Sequence, residues 1–178
     1  IYIILVVILI INFIVIGMYN KLIKLQNRVK KAKANIEIYL NKRFDLIPNL
    51  VETVKGYSKH ESTTLEDIAA LRSNYDNKKD LSIKQAEEMN NKLNKFLAIV
   101  ENYPDLKANS QYMSLQTELR IIEEQLGRAR HVYNDVVTSY NTTIDTVPSN
   151  IVASIFAFKK ADLFEVGKNR KDNIKIKL

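Results

Sequence analysis

Charged side chains are missing from the first nineteen positions of this chain. Ile1 to Tyr19 reads IYIILVVILIINFIVIGMY, with Asn12 the one strongly polar residue. At helical rise such a run is about 30 Å long, the thickness of a bilayer's hydrocarbon core. The pattern predicts a transmembrane helix that carries Ile1, Leu5, Phe13, Ile16 and Tyr19 through the membrane. The pattern then changes. Leu22, Leu25, Val29, Ala32, Ile36 and Tyr39 recur at steps of three and four, one apolar stripe on an otherwise polar helix. Neither Pro nor Gly lies between Tyr19 and Phe44, so the span is expected to run into this helix without a break. Asp45-Leu46-Ile47-Pro48 interrupts it. Asp45 can cap a new helix with Pro48 in its first turn, or the segment can kink one long helix.

A second stripe is Ile47, Leu50, Val51, Val54 and Tyr57, loosened at Gly56 and His60–Thr64. Thr63 with Glu66, and Ser82 with Gln85, have capping-box spacing. Between them Leu65 to Tyr75 keeps a helical pattern, and Asn74–Asp80 reads as a turn. Ala86, Met89, Leu93, Phe96, Val100 and Tyr103 form a third stripe, ended by Pro104, with Asp105–Ser110 as a connection. The longest pattern is Tyr112, Leu115, Leu119, Ile122, Leu126, Ala129, Tyr133, Val136 and Tyr140. It predicts a helix from roughly 110 to 146, closed before Pro148. Sustained spacing of this kind requires other long helices to pack against. The expected fold is all-α: an elongated antiparallel bundle of three or four long helices with an N-terminal transmembrane helix. The expected organisation is a span at 1–19, a bundle at 20–166 and a basic, flexible tail at 167–178. Four Gly and three Pro in the whole chain agree with so much helix.

Charge adds an orientation. Lys21, Lys24, Arg28, Lys30, Lys31 and Lys33 follow the span, and the first acid is Glu37. Basic residues beside a span mark its cytoplasmic side. The expectation is a single-pass cell-membrane protein with its N-terminus outside and its bundle in the cytoplasm. Lys21, Lys24, Arg28, Lys30 and Lys31 can also meet anionic lipid headgroups, each charge worth about 1 kcal/mol; a solvated helix face is the plainer reading. A cleaved signal peptide would need a shorter apolar core and a small-residue site, neither of which is present. Much of the remaining net charge of +7 lies in the tail, without an aromatic-and-basic module, so nucleic acid is not expected as a partner. The chain has no Cys, which removes disulfides, thiol catalysis and thiolate metal sites.

Ser149–Phe158 (SNIVASIFAF) is strongly apolar and too short to span. Ile151, Ile155, Phe156 and Phe158 there can form a lid on the bundle, a self-association surface, or a contact with the membrane interface. Candidate chemistry is sparse. His60-Glu61 and His131 share no helix face with further ligands, so no metal and no cofactor is expected. No nucleophile–base pair or phosphate-binding glycine loop occurs. Polar residues do recur beside the stripes: Gln116, Glu123, Arg130, Asn134 and Asn141 on the long helix, and Arg43, Asp45, Asn49 and Glu52 around Pro48. Buried polar groups must be paired, so Arg43, Asp45, Asn49, Arg130, Asn134 and Asn141 are expected to form a register-setting network; a ligand site is the alternative.

Three blocks carry a resemblance. The first is Lys42-Arg43-Phe44-Asp45-Leu46-Ile47-Pro48-Asn49-Leu50-Val51, continued by Val54-Lys55-Gly56-Tyr57 and His60-Glu61. The second is Glu101-Asn102-Tyr103-Pro104-Asp105-Leu106-Lys107-Ala108-Asn109, with Leu115-Gln116 and Leu119. The third is Ala129-Arg130, Tyr133-Asn134, Tyr140-Asn141 and Pro148. In this order they resemble the LemA family of bacterial membrane proteins over almost the whole chain. Val147 and Ala157 depart from the family's frequent aromatic and Gly. The resemblance implies a single-pass, N-terminally anchored helical bundle with no established enzymatic activity, in a family loosely associated with membrane stress and protein quality control and with relatives in bacterial organelle membranes.

Taken together, these features lead to a non-enzymatic, membrane-anchored scaffold that self-associates and organises or shapes the bacterial cell membrane. Its expected partners are membrane lipids and further copies of itself. The alternative is an adaptor that recruits another membrane protein, a protease or a stress-signalling partner.

Overall fold

The structure, a computed structural model, describes residues 1–55, 83–100 and 104–164. Among them all regular structure is helical: α1 (Tyr2–Asp45), α2 (Ile47–Lys55), α3 (Ile83–Val100), α4 (Pro104–Lys107), α5 (Ser110–Asp145) and α6 (Ser149–Ile155). The fold is an all-α bundle. Gly56, His60-Glu61, the Thr63–Glu66 pair, Ser82, the turn at 74–80, Tyr103 and the tail from Gly167 lie outside the described residues.

α1 continues from the apolar run into the first stripe without interruption. The stripe keeps Leu22, Leu25, Ala32 and Ile36 buried and leaves Val29 partly so. It then passes to Leu40 and Phe44 rather than Tyr39. The reason is the helical period. Strict three-four alternation averages 3.5 residues per turn, and an undistorted helix drifts off it by about 20° per heptad. Two consecutive steps of four restore the phase. The same correction appears on α5, where Val137 is fully buried in place of Val136.

The break at Pro48 is a single residue. Leu46 leaves the helix, its N–H reaching the Arg43 carbonyl at 3.4 Å, and α2 restarts with Pro48 in its first turn. There a missing N–H removes no helical hydrogen bond. The expected connection at 105–110 contains one turn of helix instead, α4, which Pro104 opens. Asn109 then caps α5. Its Oδ1 accepts from the N–H groups of Gln111 at 2.8 Å and Tyr112 at 3.1 Å, two of the donors that a helix start leaves unpaired.

The chain divides into two compact units. The first comprises Ile1–Ile36 with Arg128–Glu165, and the second Glu37–Gly127 with Val166–Leu178. In the first, Leu22, Leu25, Tyr140, Val152 and Ala153 form the core, flanked by Val15, Met18, Tyr19, Val29, Ile144, Phe158 and Ala161. In the second, the buried apolar residues include Phe44, Ile47, Leu50, Leu93, Phe96, Leu106, Tyr112 and Leu126.

Candidate functional site

The first unit carries the most unusual construction, at the point where the apolar run ends. Beyond Asp145 the chain turns through Val147-Pro148, a cis peptide bond, into α6. Ser149 fastens the turn: its hydroxyl lies 2.6 Å from the Thr143 carbonyl oxygen and 2.8 Å from that of Thr146. Thr143 belongs to the last turn of α5, whose carbonyls lack helical partners, while the Thr146 carbonyl also accepts from the Asn150 N–H at 2.9 Å. α6 is short and two-faced. Val152 and Ala153 are buried in the core of the unit, while Ile151 and Ile155 point outward.

The end of α6 has a defined cap. The Phe158 N–H donates to the Ala153 carbonyl at 2.9 Å and the Ala157 N–H to the Ser154 carbonyl at 3.2 Å. This pair of bonds is the Schellman pattern, which needs a left-handed residue between them. Ala157 supplies it, with φ of 54°. The cap turns Phe156 and Phe158 onto Tyr19, with ring centroids 4.8 Å and 5.8 Å away in tilted and edge-on geometries. Such arrangements suit the ring quadrupoles.

After Phe158 the chain forms an extended strap along α5, held by side chains rather than by a strand. The Asn141 side-chain amide donates to the Ala161 carbonyl at 2.8 Å, and its Oδ1 accepts from the Ala161 N–H at 3.0 Å. Asn134 does the same for Phe164, at 3.0 Å and 2.7 Å. A carboxamide presents the same donor and acceptor as a peptide, so each asparagine stands in for one residue of a β-bridge. The two are seven residues apart, which places them on one face of α5. Between them Tyr133 donates its hydroxyl to the Asp162 carbonyl at 2.9 Å. Arg130 stacks over the Phe164 ring at 4.8 Å. Burial raises the Tyr133 phenol above its ordinary value, and the nearby Asp162 carboxylate adds to the effect. Burial raises Tyr140 as well, with Gln26 as an opposing polar neighbour.

The residues expected to form one polar network thus fall into two sets. Arg130, Asn134 and Asn141 hold the strap in the first unit. Arg43 belongs to the second, where it is 2% exposed and meets Asn90, Glu123 and, at 2.6 Å, Asn94. A buried guanidinium needs such partners, because an unpaired charge in the interior costs several kcal/mol. Asn90 and Asn94 escaped the sequence reading. Their signal was the i, i+4 spacing that puts two carboxamides on one face of α3. Asp45 and Asn49 are exposed. Asn49 lines an open cleft of about 520 Å³ with Glu52, Thr53, Asn109, Gln111, Ser114 and Leu115. Its described lining holds one acid, Glu52, among amides and hydroxyls.

Ile1, Leu5, Phe13 and Ile16 are exposed on α1, and Tyr19 is partly covered by the two phenylalanines. Lys21, Lys24, Arg28, Lys30 and Lys31 are all exposed. His131 is an exposed residue paired with Asp135 one turn on, at 2.9 Å. Among the described residues no three His, Cys, Asp or Glu side chains are grouped as metal ligands.

The model of the LemA family matches residues 32–178. Among curated proteins, Protein LemA of Metamycoplasma hominis is 28% identical over 158 residues, covering 86% of this chain and 69% of that protein. Magnetosome protein MamQ 1 of Paramagnetospirillum magneticum is 23% identical over 175 residues, covering 83% of this chain. Magnetosome protein MamQ of Magnetospirillum gryphiswaldense is 22% identical over 174 residues, covering 82% of this chain. The chain spans 64% of the length of each of these two magnetosome proteins. It belongs to the LemA family.

Proposed function

We propose that this protein is a membrane-anchored, non-enzymatic helical scaffold whose copies associate side by side and organise the bilayer in which they stand. The observation that carries the reading is α1. One uninterrupted helix joins an apolar run, long enough to cross a membrane and unburied by the rest of the chain, to a stripe of core residues. A first unit joined to its anchor in this way is held close to the bilayer, which suits a spacer or lattice element. The exposed basic residues after the run support an orientation with the bundle on the cytoplasmic side and the N-terminus outside, in which lipid headgroups meet Lys21, Lys24 and Arg28. None of the relatives' names denotes a reaction, and MamQ is named for a bacterial structure, the magnetosome.

Met113 and Ile121 leave an apolar strip on the outside of α5, flanked by Thr117 and Glu118, and they offer a contact for a neighbouring copy. The test is the size of the detergent-extracted protein by light scattering, with electron-microscope imaging. Large, regular assemblies are expected, and Met113→Asp with Ile121→Asp should disperse them while helicity by circular dichroism is unchanged. A monodisperse monomer would overturn self-association and leave the adaptor for a membrane protease or stress-signalling partner as the better reading.

A further inference from the structure

We propose that α6 is an interfacial helix: its outer apolar face, with Val147 beside it, lies in the boundary between lipid headgroups and acyl chains. The proposal rests on the membrane-anchored reading above, and it holds equally for a lone copy. Three observations carry it.

The first is depth. The inner side of α6 and its cap pack on the core that Val15, Met18 and Tyr19 flank. Lys21 is the first charge after the apolar run, so Val15 and Met18 belong to the part of α1 inside the bilayer's edge. Val15 precedes Tyr19 by one helical turn, about 6 Å along the axis. A segment that covers them is therefore set about that far into the membrane. Interfacial helices bury their apolar faces to about 5–10 Å.

The second is the outer surface. Val147 is 72% exposed, Ile151 57% and Ile155 70%, although their neighbours Val152 and Ala153 are almost fully buried. Water would meet a bare apolar face at the very level where lipid begins. Lipid is the occupant that the adjoining apolar run already requires.

The third is the edge of the patch. Tyr19 with Phe156 and Phe158 forms an aromatic cluster at the end of the span, where aromatic rings favour the membrane–water boundary. Lys159 follows Phe158 directly and is exposed, Lys21 and Lys24 are exposed within the next turns of α1, and Lys160 is fastened to Asp145 at 2.8 Å. Lysines at such positions bury their stems and keep their ammonium groups at the phosphates.

The chain contains no Trp, so single-tryptophan reporters are free of background. The full chain carrying Ile155→Trp, or Ile151→Trp, is reconstituted in phosphatidylcholine–phosphatidylglycerol vesicles with lipids brominated either near the headgroup or deep in the chain. Both sites are exposed, so the ring displaces no core atom. Ile10→Trp reports on the span. The expected result is a blue-shifted Ile155→Trp emission with a several-fold loss to shallow bromines, and Ile10→Trp quenched most by deep bromines. An unquenched Ile155→Trp beside a quenched Ile10→Trp would overturn the proposal and leave the anchor standing. If its emission were nevertheless blue-shifted, the face would be covered by protein, as in contact with a second copy. An unquenched Ile10→Trp would remove the anchor and this proposal with it.

Discussion

Ala157 occupies a backbone position that glycine adopts freely and alanine does not. Its φ of 54° completes the Schellman cap of α6, and a Cβ in that region costs about 1–2 kcal/mol. Ala157→Gly should therefore stabilise the protein, by about 1 kcal/mol once the greater freedom of glycine in the unfolded chain is set against the relief. A rise in the thermal midpoint of the detergent-solubilised chain, with unchanged helicity, checks it. Resemblance flagged this position as a departure from a frequent Gly, but only the left-handed φ explains why glycine is favoured there. Tyr133 supplies a second test. Its phenol is raised above 10.0 in the folded protein, chiefly by burial and then by Asp162. Below 10 both folded and unfolded chains hold the proton, and the stabilisation is intact. As pH rises past 10 the unfolded chain ionises first, so stability falls until the folded phenol also titrates. Tyr133→Phe should flatten part of this alkaline loss in melts recorded on either side of pH 10. Below that range it should cost about 1 kcal/mol for the lost bond to Asp162.

At the level of elements, the helices were legible and the strap was not. The stripes of α1 and α5 follow from apolar spacing alone, and the two misassigned positions, Tyr39 and Val136, each lie one residue from the buried one. That error comes from counting 3.5 where the backbone turns by 3.6. The strap has no period to read. Its peptide groups are satisfied by Asn134 and Asn141 from thirty and twenty residues away in sequence, and a carboxamide on a helix face does not reveal whether it will pair with a helix, a ligand or a passing backbone. Replacing both asparagines with Ala should release residues 159–164 while α5 stays folded. Each loss should cost about 1–3 kcal/mol. Amide exchange at Ala161 and Phe164 should rise by orders of magnitude, with α5 amides still protected; protected strap amides would sink this account of the clip.

For the molecule as a whole, sequence carried the class and the anchor further than the contacts. An uncharged run and a basic edge are one-dimensional signals. The set around Arg43 is three-dimensional: it joins α1, α3 and α5 across separations of 47, 51 and 80 residues, and only Arg43 and Glu123 stood out beforehand. The family match reaches as far back as residue 32, which leaves the whole apolar run to be argued from physics.

The unbroken passage of α1 from that run into Leu22 and Leu25 has a mechanical consequence. With neither Pro nor Gly between Tyr19 and Phe44, the run and the part of α1 that carries Leu22 and Leu25 share one axis. In a thinner bilayer a long apolar helix leans to keep its side chains in oil, and everything fastened to Leu22 and Leu25 must lean by the same angle. The strap and α6 are fastened there. On the membrane-anchored reading proposed above, the thickness of the surrounding lipid is thereby converted into a tilt of the first unit, as a mast repeats the roll of its deck.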